Sequence, residues 1–164
     1  MEHPKSIAYF QTLNVFVRSL DPTLEAIGGY QDQQNIVIKV KRKEPSQACP
    51  VCGHLSSQIH ESYEREFDDV PSSGKKTKIR MVRRVFFCIN AECKCQRFSE
   101  EVDFIEPRQK RTKRLNDMIL SIAKHMSAVQ AAKVISEQIV QITDDTILNL
   151  IKKKNGRKKI TQQP

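Results

Sequence analysis

The sequence contains no tryptophan and few other aromatic residues, so it can bury only a small apolar core. Aromatic residues make up 6% of its 164 residues, and apolar residues of all kinds make up 38%. Modules shorter than about 70 residues rarely fold with so little apolar surface unless a metal ion or disulfides stabilise them. We therefore expect one ordinary domain or two or three very small ones, with the five cysteines available for that stabilisation.

Long apolar runs are also missing. A membrane-spanning helix needs roughly 18 consecutive apolar residues, and a secretory signal needs a shorter apolar segment near the N-terminus. The sequence has neither. We expect a soluble intracellular protein that acts on no membrane. Because the cytosol is reducing, closely spaced cysteines are expected there to bind a metal ion rather than to form disulfides.

Acidic side chains are in the minority. The 28 Lys and Arg residues outnumber the 19 Asp and Glu residues, which leaves a net charge of +9. Most of the excess lies in residues 106–164, which contain thirteen basic and five acidic side chains. Because local charge steers association, a polyanion is expected to meet this segment first. The composition favours a polyanionic partner. We predict that this partner is double-stranded DNA, and we predict no small-molecule substrate.

The hydrophobic pattern predicts an α+β fold whose strands come first. Alternating apolar residues at 36–40 predict a small N-terminal hairpin, after a segment at 9–20 that fits either a helix or a strand. Residues 59–67 and 77–87 are rich in β-branched and aromatic side chains and predict two antiparallel strands. A third short strand is expected within 97–102.

The last third changes to a helical period. Apolar residues repeat at helical spacing from Leu115 to Met126 and again from Ala128 to Ile139, with Ser127 as a suitable N-cap between them. A third helix is predicted at 144–153, where Thr143 is the expected N-cap. The basic, polar residues that follow predict disorder.

Two cysteine pairs predict a metal site. Cys49 and Cys52 form a C-x-x-C knuckle that Gly53 follows, and Cys88 and Cys93 supply a second pair after 35 intervening residues. A two-stranded hairpin fits between the pairs, as in a zinc ribbon. Four thiolates can surround Zn²⁺ tetrahedrally at about 2.3 Å, and a closed Cys₄ set leaves no open position. We therefore predict structural zinc.

Other ligand sets remain open at this point. Cys95 competes with Cys93, because a C-x-C chelate is sterically possible, although we favour Cys88 and Cys93. His54 and His60 are alternative nitrogen ligands, but a surface imidazole is the simpler interpretation of each. The same Cys₄ pattern also fits iron in a rubredoxin-like electron-transfer protein, which absorbs visible light where a zinc protein is colourless.

A helix pair with a basic face predicts a helix-turn-helix, in which the last helix enters the major groove of DNA. Asn149 could pair with adenine, while lysines contact phosphate. A basic run before the first helix suits an arm that binds phosphate or the minor groove. The predicted DNA-binding residues are Arg108, Lys110, Arg111, Lys113, Arg114, Asp145, Thr146, Asn149, Lys152 and Lys153.

These predictions divide the chain into four units. In order, they are a small N-terminal β-hairpin element at 1–44, a zinc ribbon at 45–105, a three-helix helix-turn-helix domain at 106–154 and a disordered basic tail at 155–164. A second basic strip lies on the strand predicted at 77–87. It could extend the DNA footprint, or it could pair with acidic residues across the hairpin.

Over residues 45–153, the sequence resembles the N-terminal region of ISL3-type insertion-sequence transposases. The motifs that carry the resemblance are CPVCG at 49–53, Tyr63-Glu64-Arg65, Asp69-Val70-Pro71, Arg83-Arg84-Val85-Phe86-Phe87-Cys88, Cys93, Arg97-Phe98-Ser99-Glu100 and Arg111-Thr112-Lys113-Arg114-Leu115. Such a resemblance implies a zinc ribbon and a helix-turn-helix that bind the terminal inverted repeats of a bacterial mobile element. It also implies a cytoplasmic, nucleoid-associated protein.

In such transposases an RNase H-like domain with three catalytic acids then cuts and joins DNA. We expect that DDE domain to be missing from this chain, and we assign no catalytic residue. Asp144 and Asp145 lie at a predicted helix start, where the helix dipole favours acids. Self-association or a full-length transposase partner is compatible with this interpretation. The alternative is a stand-alone zinc-ribbon regulator that binds DNA, or a protein-interaction module.

Overall fold

The computed structural model of the chain describes residues 7–160, and side chains within 11–155. It has an α+β fold, as predicted. Its helices and strands, in chain order, are α1 (Ile7–Leu20), β1 (Leu24–Gln31), β2 (Asn35–Arg42), β3 (Gln47–Ala48), β4 (Leu55–Ser56), β5 (Ile59–Ser72), β6 (Lys75–Phe87), β7 (Arg97–Ser99), α2 (Lys113–Ala123), α3 (Ala128–Gln138) and α4 (Asp144–Ile160).

One sheet contains five strands in the order β1-β2-β6-β5, with β7 paired to β6. The hairpin β1–β2 and the long hairpin β5–β6 are both antiparallel, so the two predicted hairpins are confirmed. An unexpected parallel pairing joins β2 to β6, where Ile38 lies opposite Ile79. The predicted boundary at residue 44 stays a prediction, but the sheet continues across it.

The main core covers one face of this sheet. Helix α1 packs there through Val17, which resolves the ambiguous segment at 9–20 as a helix. Strand β6 alternates so that Ile79 and Met81 are fully buried on this face, as expected for a half-buried strand. Phe67 of β5 completes the same cluster.

The last three helices share a second apolar cluster that includes Leu115, Ala131, Ile135 and Ile147. The predicted N-cap Ser127 is confirmed. The hydroxyl groups of Thr112 and Ser127 accept hydrogen bonds from the backbone N–H of the third residue of α2 and of α3, respectively, which stabilises each first turn. That this bundle is a helix-turn-helix stays a prediction.

The predicted disordered tail at 155–164 differs from the structure, in which α4 continues to Ile160. Residues 161–164 lie outside the described part of the chain. Lysine and arginine are good helix formers, so a helix already started at Thr143 can extend through a basic sequence. Among the described residues, no helix is both long enough and apolar enough to cross a membrane.

Candidate metal centre and nucleic-acid interface

The first cysteine pair lies in a tight turn between β3 and β4. The backbone N–H of Gly53 donates to the carbonyl of Cys49 at 2.9 Å, and the N–H of Cys49 donates to the carbonyl of His54 at 2.9 Å. Gly53 has φ +75°, a left-handed conformation that glycine adopts without steric cost. This turn therefore directs the Cys49 and Cys52 side chains to one side.

The second pair follows the end of β6. The N–H of Cys88 donates to the carbonyl of Gln96 at 3.0 Å, and the N–H of Cys93 donates to the carbonyl of Asn90 at 3.1 Å. Beneath the sulfurs, the rings of Phe86 and Phe98 stack with centroids 5.9 Å apart. Both rings are buried against the cysteines, so the sheet supports the second knuckle.

Four sulfur atoms, those of Cys49, Cys52, Cys88 and Cys93, lie within 4.8 Å of one another. The Cys49 and Cys93 sulfurs are 4.0 Å apart, and those of Cys52 and Cys88 are 3.6 Å apart. A tetrahedron with zinc–sulfur bonds of about 2.3 Å has sulfurs about 3.8 Å apart. The four cysteines are thus positioned to bind a metal ion, and the all-thiolate donor set fits structural Zn²⁺.

Hydrogen bonds from the backbone favour the thiolate form of the first pair. The N–H of His54 is the main cause that lowers the pKa of Cys52 to about 6, and the N–H of Cys52 likewise lowers the pKa of Cys49. At Cys88 the N–H of Asn90 lowers the pKa, but burial and the neighbouring thiols outweigh it and raise the pKa to about 12. A bound cation would stabilise the thiolate form of all four cysteines.

The competing ligands are not members of this four-sulfur group. Cys95 donates its thiol hydrogen to the carbonyl of Arg97 at 3.3 Å, and its N–H donates to the sulfur of Cys93 at 3.4 Å. The ring of His60 packs edge-on against Phe87 and meets the Arg97 guanidinium at 3.2 Å. His54 is exposed. The geometry thus favours the proposal that Cys93, rather than Cys95, completes the site.

The basic segment at 108–114 does not extend as an arm. Arg114 is bound to Asp69 of β5, and its guanidinium lies 5.0 Å from the centre of the Phe16 ring. Arg111 donates to the side-chain oxygen of Asn116 at 3.2 Å, and burial lowers the pKa of its guanidinium. Of the five predicted cations, the exposed ones are Arg108, Lys110 and Lys113.

The predicted reading residues occupy the third helix of the bundle, α4. Asp145, Asn149 and Lys152 are exposed. The hydroxyl of Thr146 lies 2.9 Å from that of Thr143 at the helix start, and Lys153 forms an ion pair with Glu106 at 3.6 Å. The structure therefore leaves three of the five α4 positions open to a ligand.

The basic strip on β6 follows the second of the two interpretations. Lys78 and Arg80 both pair with Glu66 across the hairpin, at 2.6 and 2.9 Å. Sequence reasoning missed two buried carboxylates, Asp69 and Glu100, that anchor arginines. Both acids lie in motifs that carry the family resemblance, but their local sequence does not mark either one as buried.

Comparison with known protein families identifies the first part of this site. A family model described as the zinc-finger of transposase IS204/IS1001/IS1096/IS1165 matches residues 45–93. The matched segment contains both cysteine pairs, so the resemblance to the ISL3 zinc ribbon is confirmed over these residues. For residues 94–153 it stays a prediction. No curated protein and no solved structure matches the chain.

Proposed function

We propose that the chain is a zinc-dependent DNA-binding portion of an ISL3-like transposase, which recognises the terminal inverted repeats of its element and does not transfer strands by itself. The observation that carries the proposal is the match of residues 45–93 to a transposase zinc finger. The matched family is a zinc finger and not a nuclease, which is compatible with a binding role. Such a protein works in the cytoplasm of a bacterium, at the nucleoid.

The zinc ion has a structural role in this proposal. Cys49, Cys52, Cys88 and Cys93 hold it, and their two turns lie at the same end of the long β5–β6 hairpin. A closed thiolate shell supplies folding energy and no reactive position. The metal therefore fixes the ribbon, and the DNA contacts come from other side chains.

Helix α4 is the proposed reading helix. Its exposed Asn149 has the chemistry to pair with an adenine edge, and Lys152 has the charge to contact phosphate. The turn before α4 is held by the N–H of Ile142, which donates to the hydroxyl of Ser136 at 3.1 Å. A fixed turn between α3 and α4 is what a helix-turn-helix requires to place its second helix in the groove.

Competition binding tests the proposal. A duplex that carries the inverted repeat and a shuffled duplex of equal length are titrated with wild type, Asn149→Ala and Lys152→Gln. We expect N149A to lose about tenfold in affinity for the repeat but not for the shuffled duplex. K152Q should weaken both. The control, Lys39→Gln, removes a charge from the sheet. Equal affinity of the wild type for both duplexes would contradict sequence recognition.

A second candidate function is a protein-interaction module, which the surface around the metal centre favours. Val51, Leu55 and Ile89 are 67%, 63% and 52% exposed on or beside the two cysteine turns. Exposed apolar residues in one region mark protein interfaces. Under this alternative, Val51→Ser and Leu55→Ser abolish capture of a transposase by the chain and leave DNA affinity unchanged.

A further inference from the structure

The two faces of the sheet differ in how their charges are balanced. On the face that turns away from α1, five basic residues of the central strands form ion pairs with carboxylates. The pairs are Lys39 with Glu64, Lys41 with Glu25, Lys78 and Arg80 with Glu66, and Arg84 with Glu100. Carboxylates therefore offset most of the positive charge on this face, which weakens the field that it offers to a polyanion.

At the ribbon end of the sheet, the opposite face has a different composition. Strand register places five side chains there, which we call the ribbon platform: Tyr63 and Arg65 on β5, Arg83 and Phe87 on β6, and Arg97 on β7. Tyr63 lies directly opposite Arg83, and Phe87 lies directly opposite Arg97. Because side chains alternate along a strand, all five point to one side. The metal centre packs on Phe86, which points to the other.

The three guanidinium groups of the ribbon platform rest on neutral partners. Arg65 lies over the Phe67 ring at 5.2 Å. Arg83 donates to the backbone carbonyl of Glu100 at 2.6 and 3.0 Å, and Arg97 contacts the His60 ring. These contacts fix the arginines, and none of the described ion pairs includes them. One exposed carboxylate, Glu61, shares this face and lies 3.9 Å from His60.

Two aromatic rings are open to solvent among these cations. Tyr63 is 37% exposed and Phe87 is 40% exposed, although a chain with few aromatics has reason to bury them. Tyr63 lies opposite Arg83, and Phe87 lies four positions further along β6, which corresponds to about 13 Å along the strand. Exposed aromatic rings interleaved with arginines on a sheet are suited to stacking unpaired bases and holding the phosphates between them.

A cleft continues the platform toward the helical bundle. Its volume is about 340 Å³, and its lining includes Arg65, Arg83, Arg108 and Lys113, together with three carboxylates from the loop at 101–106. Arg108 has φ +62°. It occupies the third position of a turn in which the N–H of Gln109 donates to the carbonyl of Glu106. Strained backbone conformations of this kind are concentrated at functional sites. Here the strained residue places a guanidinium group at the cleft.

We propose that the ribbon platform binds single-stranded DNA. Tyr63 and Phe87 stack unpaired bases, and Arg65, Arg83 and Arg97 hold the phosphodiester. This surface is separate from α4 and reads no base edges in a groove. It provides the protein with a second DNA-binding mode, for a strand whose bases are not paired.

A fluorescent variant tests the contact directly. The chain has no tryptophan, so Tyr63→Trp introduces a single reporter on the platform. The matched control, Tyr30→Trp, places the reporter on the opposite face, where Tyr30 is 54% exposed. On titration with a thymidine oligonucleotide, we expect saturable quenching of Y63W and little change in Y30W. Equal quenching of both reporters, or of neither, overturns the proposal.

Affinity measurements separate stacking from simple charge attraction. Phe87→Ala should weaken binding of the oligonucleotide by about tenfold, and an abasic oligonucleotide of equal length should bind the wild type correspondingly less. Arg97→Gln should weaken binding more than Lys39→Gln, which removes the same charge from the opposite face. Zinc content and melting temperature of each variant verify the fold. If the abasic strand binds as tightly, the platform does not stack bases.

A further comparison separates this proposal from duplex recognition by α4. The variant Asn149→Ala should lose affinity for the inverted-repeat duplex and keep its affinity for the thymidine oligonucleotide, whereas F87A should show the reverse. An oligouridine of equal length establishes whether the strand must be DNA. Preference for oligouridine identifies RNA as the occupant and contradicts the proposal as stated, and binding of a protein partner alone does the same.

Discussion

Arg114 of α2 forms an ion pair with Asp69 of β5, whose side chain is fully buried. The Arg114 Nε atom also donates to Asp69 at 2.8 Å, and the Thr112 hydroxyl donates to the same carboxylate at 2.7 Å. The Asp69 carboxylate thus binds both the N-cap residue of α2 and a residue of its first turn. This cluster connects the helical bundle to the sheet and gives Arg114 a structural role. The DNA contact of Arg114 stays a prediction.

Removal of Arg114 is expected to destabilise the protein. In Arg114→Ala the Asp69 carboxylate is left buried without its charged partner, which costs about 3–5 kcal/mol. Chemical denaturation of the zinc-loaded protein measures the loss. Lys113→Ala is the matched control. Lys113 immediately precedes Arg114 in α2 but is exposed, so its removal should change stability by less than about 0.5 kcal/mol. Equal losses for both variants would contradict the structural role.

Asp68 is expected to reduce stability at neutral pH. Burial raises the pKa of this half-buried carboxyl above its usual 3.8. The folded state therefore holds the proton more tightly than the unfolded state. Protonation of Asp68 thus contributes to the free energy of unfolding below pH 3.8, and this contribution is lost as pH rises through the folded-state pKa. Asp68→Asn should raise stability at pH 7 by less than about 1 kcal/mol after solvent screening. The gain should vanish in acid, as denaturation at several pH values can measure.

Single cysteine substitutions should distinguish the ligands from the bystander. Serine at Cys49, Cys52, Cys88 or Cys93 removes one thiolate from the proposed shell, and the coupling of metal binding to folding then lowers zinc stoichiometry and melting temperature together. Cys95→Ser should retain one zinc per chain. Elemental analysis of protein purified under reducing conditions decides the matter, and zinc loss in C95S with retention in C93S would reverse the assignment.

Duplex binding should weaken steeply with salt. Six or more phosphate contacts reduce affinity by about 10³-fold or more between 50 and 200 mM salt. Lys152→Gln is expected to reduce the slope of log affinity against log salt by about 1, because Lys152 is exposed on α4. Lys78→Gln is the control, since Lys78 is already paired with Glu66. A flat salt profile for the wild type would contradict phosphate binding.

Local features of the fold could be predicted from the sequence. The predicted N-caps Ser127 and Thr143 each accept a hydrogen bond from a backbone N–H in the first turn of the helix that follows. The long hairpin lies between the two cysteine pairs as their spacing required. Each of these predictions depends on interactions within a few residues or on one short loop, which periodicity and turn chemistry describe well.

Long-range features could not be predicted. The parallel pairing of β2 with β6 places Asn35 opposite Lys76, and no local signal specifies which strand a hairpin edge will join. The basic segment at 108–114 has the composition of a solvated arm. Arg111 and Arg114 nevertheless turn inward, because Arg111 binds Asn116 of α2 and Arg114 binds Asp69 of the sheet. Composition gives the charge of a segment but not its surroundings.

The central position of β6 limits how this finger can be transplanted. Strand β6 pairs with β5 on one side, and with β2 and then β7 on the other. A graft that copied only residues 45–93 would carry the cysteines but would lose β2 and α1. Ile79 and Met81 would then face water, and one edge of β6 would be open to other chains, which is a route to aggregation. A portable version must therefore include the N-terminal hairpin and its helix.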